Sequence, residues 1–131
     1  MEEHPNVELS RRGYAAFGSG DMETLTELIA EDAVWHIGGR SPLAGDYEGR
    51  EAVFGLFGRL AEKSEGTLKL EVHDILANDD HSVVLTRLTA GGSSGRTVSI
   101  STCDTAHIRD GQLVEFWTFG SDQYAWDEYW S

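Results

Sequence analysis

Apolar residues recur at helical spacing through the first half of the chain and at alternate positions through the second. Val7, Tyr14 and Phe17 share one side of a helix that opens at Pro5 or Asn6, with Arg11 and Arg12 opposite and Gly18-Ser19-Gly20 ending it. Asp21 suits the N-cap of a second short helix, and Glu23 falls in its first turn, where the helix dipole favours negative charge. Leu25, Leu28 and Ile29 form that helix's apolar stripe, and Asp32 to Ile37 reads as a strand ended by Gly38-Gly39. A loop rich in turn residues runs from Arg40 to Gly49. The spacing of Val53, Leu56, Phe57 and Leu60 predicts a third helix, from about Arg50 to Lys63.

From Thr67 the period becomes two: Leu68, Leu70 and Val72 alternate with Lys69, Glu71 and His73. Asn78-Asp79-Asp80 turns the chain into a strand from His81 to Leu88, and Gly91 to Gly95 turns it into a long strand from Thr97 to Arg109. Asp110-Gly111 is a hairpin signal leading into a last strand, Gln112 to about Asp122. Three helices followed by an antiparallel meander predict an α+β domain with helices on one face of a bent sheet. The space between the concave face and the helices is then the natural place for a ligand.

The 131 residues suffice for one domain, expected to span 1–131. Phe 5, Trp 4 and Tyr 4 supply ample aromatic bulk for a core. Twenty-three acidic against ten basic residues give a net charge of −13, which repels phosphate backbones and anionic membranes, so neither nucleic acid nor membrane is expected as a partner. Cys103 stands alone and can form no intramolecular disulfide. The acidic start, Met1-Glu2-Glu3, is the opposite of a signal peptide, and no apolar run approaches the roughly 20 residues of a membrane helix. A cytoplasmic location is the expectation. The five histidines lack the HxH or HExxH spacing of metal sites, and no phosphate-binding loop is present, so neither metal nor cofactor is expected.

Tyr14-Ala-Ala-Phe17, Gly20-Asp21, Leu28 to His36 and Gly45 to Val53 resemble the first half of SnoaL-like proteins. These belong to the nuclear transport factor 2-like superfamily, which includes ketosteroid isomerase and limonene epoxide hydrolase. His107 to Trp117 and Asp122 to Trp130 are similar to the second half. The resemblance implies a cone-shaped α+β domain of cystatin-like type with the cavity at its wide end, dimeric through the outer sheet face. It also implies the facing of side chains. Ser99, Ser101, Cys103, Thr105 and His107 would point inward from the long strand, and Val114, Phe116, Thr118, Gly120 and Asp122 from the last. Trp117 and Phe119 would point outward, where a second copy could cover them. Aligned to ketosteroid isomerase, Gly13 takes the tyrosine's place, Ile37 or a neighbour the base's and Thr105 the acidic donor's, so all three functional groups would be missing.

His107 and Asp122 are then the candidate catalytic pair. SnoaL-type polyketide cyclases use an acid/base aspartate on the last strand, a place Asp122 approximately matches; a carboxylate in an apolar cavity is shifted toward its neutral form. The alternative is that Asp122 caps the C-terminal segment and His107 fills a polar spot. On the first strand one of Trp35 and His36 must face the cavity, because strand side chains alternate. The isomerase match favours Trp35. Tyr14 is expected to line the core or cavity floor with its hydroxyl seeking a partner, and Tyr47, with Arg40 and Asp46, to rim the mouth. Phe57, Thr105, Phe116 and Thr118 complete the expected ligand-binding set. The reading is a binder of a small, mostly hydrophobic molecule, with cofactor-free cyclisation, isomerisation or hydration as its chemistry. The alternatives are a non-catalytic binding module and a dimeric scaffold.

Overall fold

In a computed structural model, residues 3–131 form one six-stranded sheet and four helices; Met1 and Glu2, the start of the acidic N-terminal run, lie outside the described residues. Helix α1 (Pro5–Ser19) starts with proline at its first position, where no N–H is needed, and ends at Gly20, whose φ of 71° closes the last turn. Asp21 caps α2 (Met22–Leu28) by accepting from the Thr24 backbone N–H. Strand β1 (Ile29–Ile37) follows without a loop, so Ile29 belongs to the strand rather than to the helical stripe. Within the expected loop, Gly45–Glu48 pairs with β1 as a short edge strand, β2. Helix α3 (Arg50–Lys63) keeps its expected bounds, burying Val53, Leu56 and Leu60.

Strands β3 (Lys69–Ala77), β4 (His81–Ala90), β5 (Val98–Arg109) and β6 (Gln112–Gly120) complete a sheet of order β2-β1-β6-β5-β4-β3. Neighbours are antiparallel except β1 and β6, which run parallel, as they can because more than half of the chain lies between them. Trp35 lies opposite Phe116 and Ile37 opposite Thr118 in that pairing.

The C-terminal residues, expected as the end of β6 and a packing tail, form a fourth helix, α4 (Gln123–Trp130). Trp126, Tyr129 and Trp130 are buried among the core residues, and the Tyr129 hydroxyl donates to the Gly91 carbonyl at 2.5 Å. Asp127 Oδ1 accepts from the backbone N–H of Arg40 (3.0 Å) and of Ser41 (3.2 Å), tying the loop after β1 to this helix. No helix among the described residues is long and apolar enough to cross a membrane.

The decisive irregularity lies in β6. Asp110 and Gly111 both have positive φ (51° and 75°), as a two-residue type I′ hairpin requires, and Arg109 faces Gln112 across the turn. Ile108 then pairs with Leu113, but His107 pairs with Glu115, leaving Val114 as one extra residue on β6. Beyond this bulge Ala106 lies opposite Phe116 and Asp104 opposite Thr118. Because side chains alternate, the shift turns the even-numbered residues of β5 inward with Phe116 and Thr118. Ile100, Thr102, Asp104 and Ala106 are buried, whereas Ser99, Ser101 and His107 are exposed and Cys103 and Thr105 half-buried on the outer face. The expected facing of β5 is therefore reversed, and that of Phe116 and Thr118 holds.

Candidate ligand cavity

Between the concave face and helices α1, α2, α3 and α4 lies a cavity of about 110 Å³. That is several times the space one water needs. Its walls are apolar except for Ser10, Tyr14, Ser82, Thr102, Asp104 and Thr118. Trp35, buried to 5% exposure, stacks on Phe116 with centroids 4.7 Å apart and meets the edge of Phe57 at 6.0 Å. These rings make up much of the cavity's apolar wall.

At the polar point of this wall stands Asp104, only 4% exposed. The Tyr14 hydroxyl, from α1, donates to Oδ2, and the Thr118 hydroxyl, from β6, donates to Oδ1 at 2.5 Å. The neighbouring Thr102 hydroxyl shares a 2.5 Å hydrogen bond with Thr86. Burial pushes the Asp104 carboxyl above its ordinary value, against the hydrogen bonds from Thr118, Tyr14 and Thr102 that favour the ion. Tyr14 is raised well above the usual phenol range, first by its own burial and then by the Asp104 charge beside it. The pair thus presents a carboxyl biased toward its neutral form, whose own proton can be offered to an oxygen in the apolar enclosure, and a phenol whose single proton is given to that carboxyl.

Of the residues expected to bind ligand, Trp35, Tyr14, Phe57, Phe116 and Thr118 line the cavity. Three do not. His36 lies on the outer face, between Asp46 Oδ1 and Glu115 Oε2 at 2.7 Å each, as alternation requires once Trp35 faces in. Thr105 is turned outward by the Val114 bulge. Tyr47 packs against the core and donates to the Leu43 carbonyl at 2.6 Å.

The expected catalytic pair is not brought together. Asp122 is exposed, and its carboxylate accepts from the Ala125 backbone N–H at 3.0 Å, capping α4 as the alternative reading held. Strand β6 ends at Gly120, so Asp122 never reaches the sheet's inner face. His107 sits on the outer face, its Nδ1 3.4 Å from Glu115 Oε1 and its ring edge-on to Trp117. The reading that all three ketosteroid isomerase groups are missing is also corrected. A tyrosine and an acidic donor do meet in the cavity, each one residue from its expected position, while Trp35 and Ile37 place no carboxylate there from β1.

Residues 10–116 match the model of the SnoaL-like domain. The chain belongs to the SnoaL-like family. Bal32a, encoded by a soil-derived mobile gene cassette, is 43% identical over 96% of each chain, with a TM-score of 0.92. IdmH of Streptomyces antibioticus, provisionally described as a polyketide cyclase, is 27% identical over 90% of this SnoaL-like chain and 93% of its own, with a TM-score of 0.75. A nuclear transport factor 2-like protein of Burkholderia xenovorans shares the fold, at 24% identity over 100% and 99% of the two chains and a TM-score of 0.83. The curved-sheet architecture read from the sequence is that of this superfamily.

Proposed function

We propose that this SnoaL-like protein binds a small, mostly apolar, oxygen-bearing molecule in the cavity and activates that oxygen through Tyr14 and Asp104. The observation that carries the reading is a phenol and a carboxyl, hydrogen-bonded to each other and buried in an otherwise greasy enclosure. Donors fixed in a dry site stabilise negative charge developing on an oxygen without having to reorganise. Ketosteroid isomerase pairs a tyrosine with a neutral aspartic acid to hold its oxyanion, the same two kinds of group. The likeness to IdmH supports cyclisation or isomerisation of a carbonyl compound as the reaction class. In such a step the substrate's oxygen would accept from neutral Asp104, or from Tyr14 once it turns away from Asp104. The proton leaving the neighbouring carbon would pass to water or buffer base, because no second carboxylate lines the cavity among the described residues.

A second reading, a binding module without chemistry, is favoured by one feature: Asp104 is the only carboxylate lining the cavity among the described residues, so no separate base faces the ligand. Proton NMR of 2-tetralone in deuterated buffer distinguishes the two. An acid–base catalyst accelerates exchange of the protons beside the carbonyl, and Tyr14→Phe or Asp104→Asn is expected to lower that acceleration by about 10²–10³-fold. Saturable binding without acceleration leaves the binding module standing. If neither 2-tetralone nor 2-naphthol binds, the cavity is not a ligand site.

We further propose that a second copy covers the outer face around Trp117 and Phe119. Phe119 is 56% exposed there, and Trp117, half-buried, stacks on His36 and meets His107 edge-on, apolar surface that a partner would remove from water.

A further inference from the structure

Five of the six polar side chains lining the cavity have a hydrogen-bond partner within the chain. Ser10 donates to the Asn6 carbonyl at 2.8 Å, Thr102 pairs with Thr86, and Tyr14 and Thr118 both serve Asp104. Ser82 is the exception. It lies on β4 opposite Ala106, faces the concave side, and is 3% exposed, yet its hydroxyl has no partner among the described residues. Trp130 Nε1 is the one fully enclosed unpaired side-chain polar atom among the described residues, so the Ser82 hydroxyl, which also lacks a partner, still opens onto free space. Here the space in front of it is the cavity itself.

Resting on the ligand-site reading above, we propose that Ser82 is a second polar anchor, so that the preferred ligand carries two oxygen functions at opposite ends of a rigid apolar body. The register fixes their spacing. Asp104 is two residues along β5 from Ala106, so Ser82 and Asp104 are diagonal neighbours on one face, about 7–8 Å apart. A hydrogen bond at each end adds to the reach of the ligand's own oxygens, so oxygens at opposite ends of a single ring or of a fused bicycle can meet both anchors. Phe116 lies opposite Ala106 on the next strand, so an aromatic ring flanks the space between them. The ligand class is accordingly a rigid cyclic compound bearing hydroxyl or carbonyl groups at both ends, one reading the Tyr14–Asp104 pair and the other reading Ser82.

Calorimetric titration of the full chain with 2,6-dihydroxynaphthalene and with 2-naphthol tests this, because the two probes share one body and differ by the distal hydroxyl. The wild type is expected to bind the diol more tightly. Ser82→Ala removes no hydrogen bond within the chain, so the fold should be retained, and it is expected to weaken the diol by roughly 3–10-fold while leaving 2-naphthol within about twofold. Tyr14→Phe should weaken both probes. An unchanged diol affinity in Ser82→Ala, or an equal loss for both probes, overturns the anchor while Tyr14-sensitive binding keeps the cavity reading. Failure of both probes to bind the wild type overturns the cavity reading and the anchor with it.

Discussion

Strands β1 and β6 put Trp35, Phe116 and Thr118 on the concave face and His36, Glu115 and Trp117 on the convex face, by alternation alone. Each face holds one ionisable group clamped between two partners, with opposite outcomes. Inside, Asp104 receives hydroxyls from Tyr14 and Thr118 against an apolar wall, and burial biases it toward the uncharged form. Outside, His36 is held by Asp46 and Glu115 where solvent still reaches, and those carboxylates bias it toward the charged form, the hydrogen bond it donates to Asp46 being the largest cause. The partners' charge and the access of water, not the number of hydrogen bonds, decide whether the protonated form that each clamp favours is neutral or charged. A carboxyl biased toward neutrality among apolar rings is equipped to meet an apolar ligand; an imidazole biased toward its cation on a wet sheet is equipped to hold strands together.

The widest gap between the faces should appear in packing. Trp35→Ala removes a ring buried against Phe57 and Phe116 and is expected to cost about 3–5 kcal/mol in urea unfolding. Phe119→Glu, on the convex face, should change the stability of an isolated chain by about 0.5 kcal/mol or less. In sedimentation it should instead shift a dimer to a monomer, as expected if a second copy covers Phe119. A wild type that sediments as a monomer at every concentration removes the second copy from the account.

The next largest effect concerns Asp104. Its folded carboxyl is raised above the ordinary value of 3.8, so as pH climbs past 3.8 the unfolded chain ionises while the folded one stays protonated. The unfolded state then binds fewer protons, and stability falls with pH until the folded value is reached. The wild type is expected to lose up to about 1.4 kcal/mol per pH unit against Asp104→Asn in that window. Above it the difference should level off. A difference that is flat from acid to neutral pH would mean the carboxyl is ionised inside the cavity, with Tyr14 and Thr118 outweighing burial.

Three of the four helices, the hairpins and the curved sheet were legible because each rests on local patterning: Val53, Leu56 and Leu60 at helical spacing, Asp110-Gly111 at a tight turn; α4 and the edge strand β2 were not. The site was half legible. Trp35, Phe57, Phe116, Thr118 and Tyr14 follow from alternation and the resemblance to SnoaL-like proteins, but Asp104 was hidden by a single residue. Continuing the Arg109–Gln112 hairpin without interruption would set Cys103 opposite Thr118 and Thr105 opposite Phe116, turning Asp104 outward. The Val114 bulge moves every pair by one and brings Asp104 in. No residue type marks it, since Leu113-Val114 is an ordinary pair of strand formers. A usable signal lay elsewhere: after the bulge the inward set of β5 is Ile100, Thr102, Asp104, Ala106 and Ile108, more apolar than the outward Ser99, Ser101, Thr105 and His107. Asp122 misled for a related reason, because the strand expected to carry it ends at Gly120 and the residue begins a helix instead.

The smallest expected effect is the most direct test of the charged clamp. His36 is raised above its ordinary value of 6.5 by Asp46 and Glu115, so its protonated form adds stability that is fully present below pH 6.5 and is lost as pH rises through the folded value. Because the imidazole is partly solvated, the contribution should be about 1 kcal/mol or less and should shrink with added salt. His36→Gln is expected to lower the unfolding midpoint at pH 6 and to approach the wild type in mildly alkaline buffer, a slope of the same sign as that of Asp104, since both folded values are raised, but in a window above pH 6.5. His107 also faces Glu115, its Nδ1 3.4 Å from Oε1, so the same scan on His107→Gln is the control: the His36-dependent slope should survive there. A His36→Gln deficit of constant size across this range would show that the ring acts by stacking on Trp117, 5.0 Å away, rather than by its charge. The two faces would then differ in packing alone.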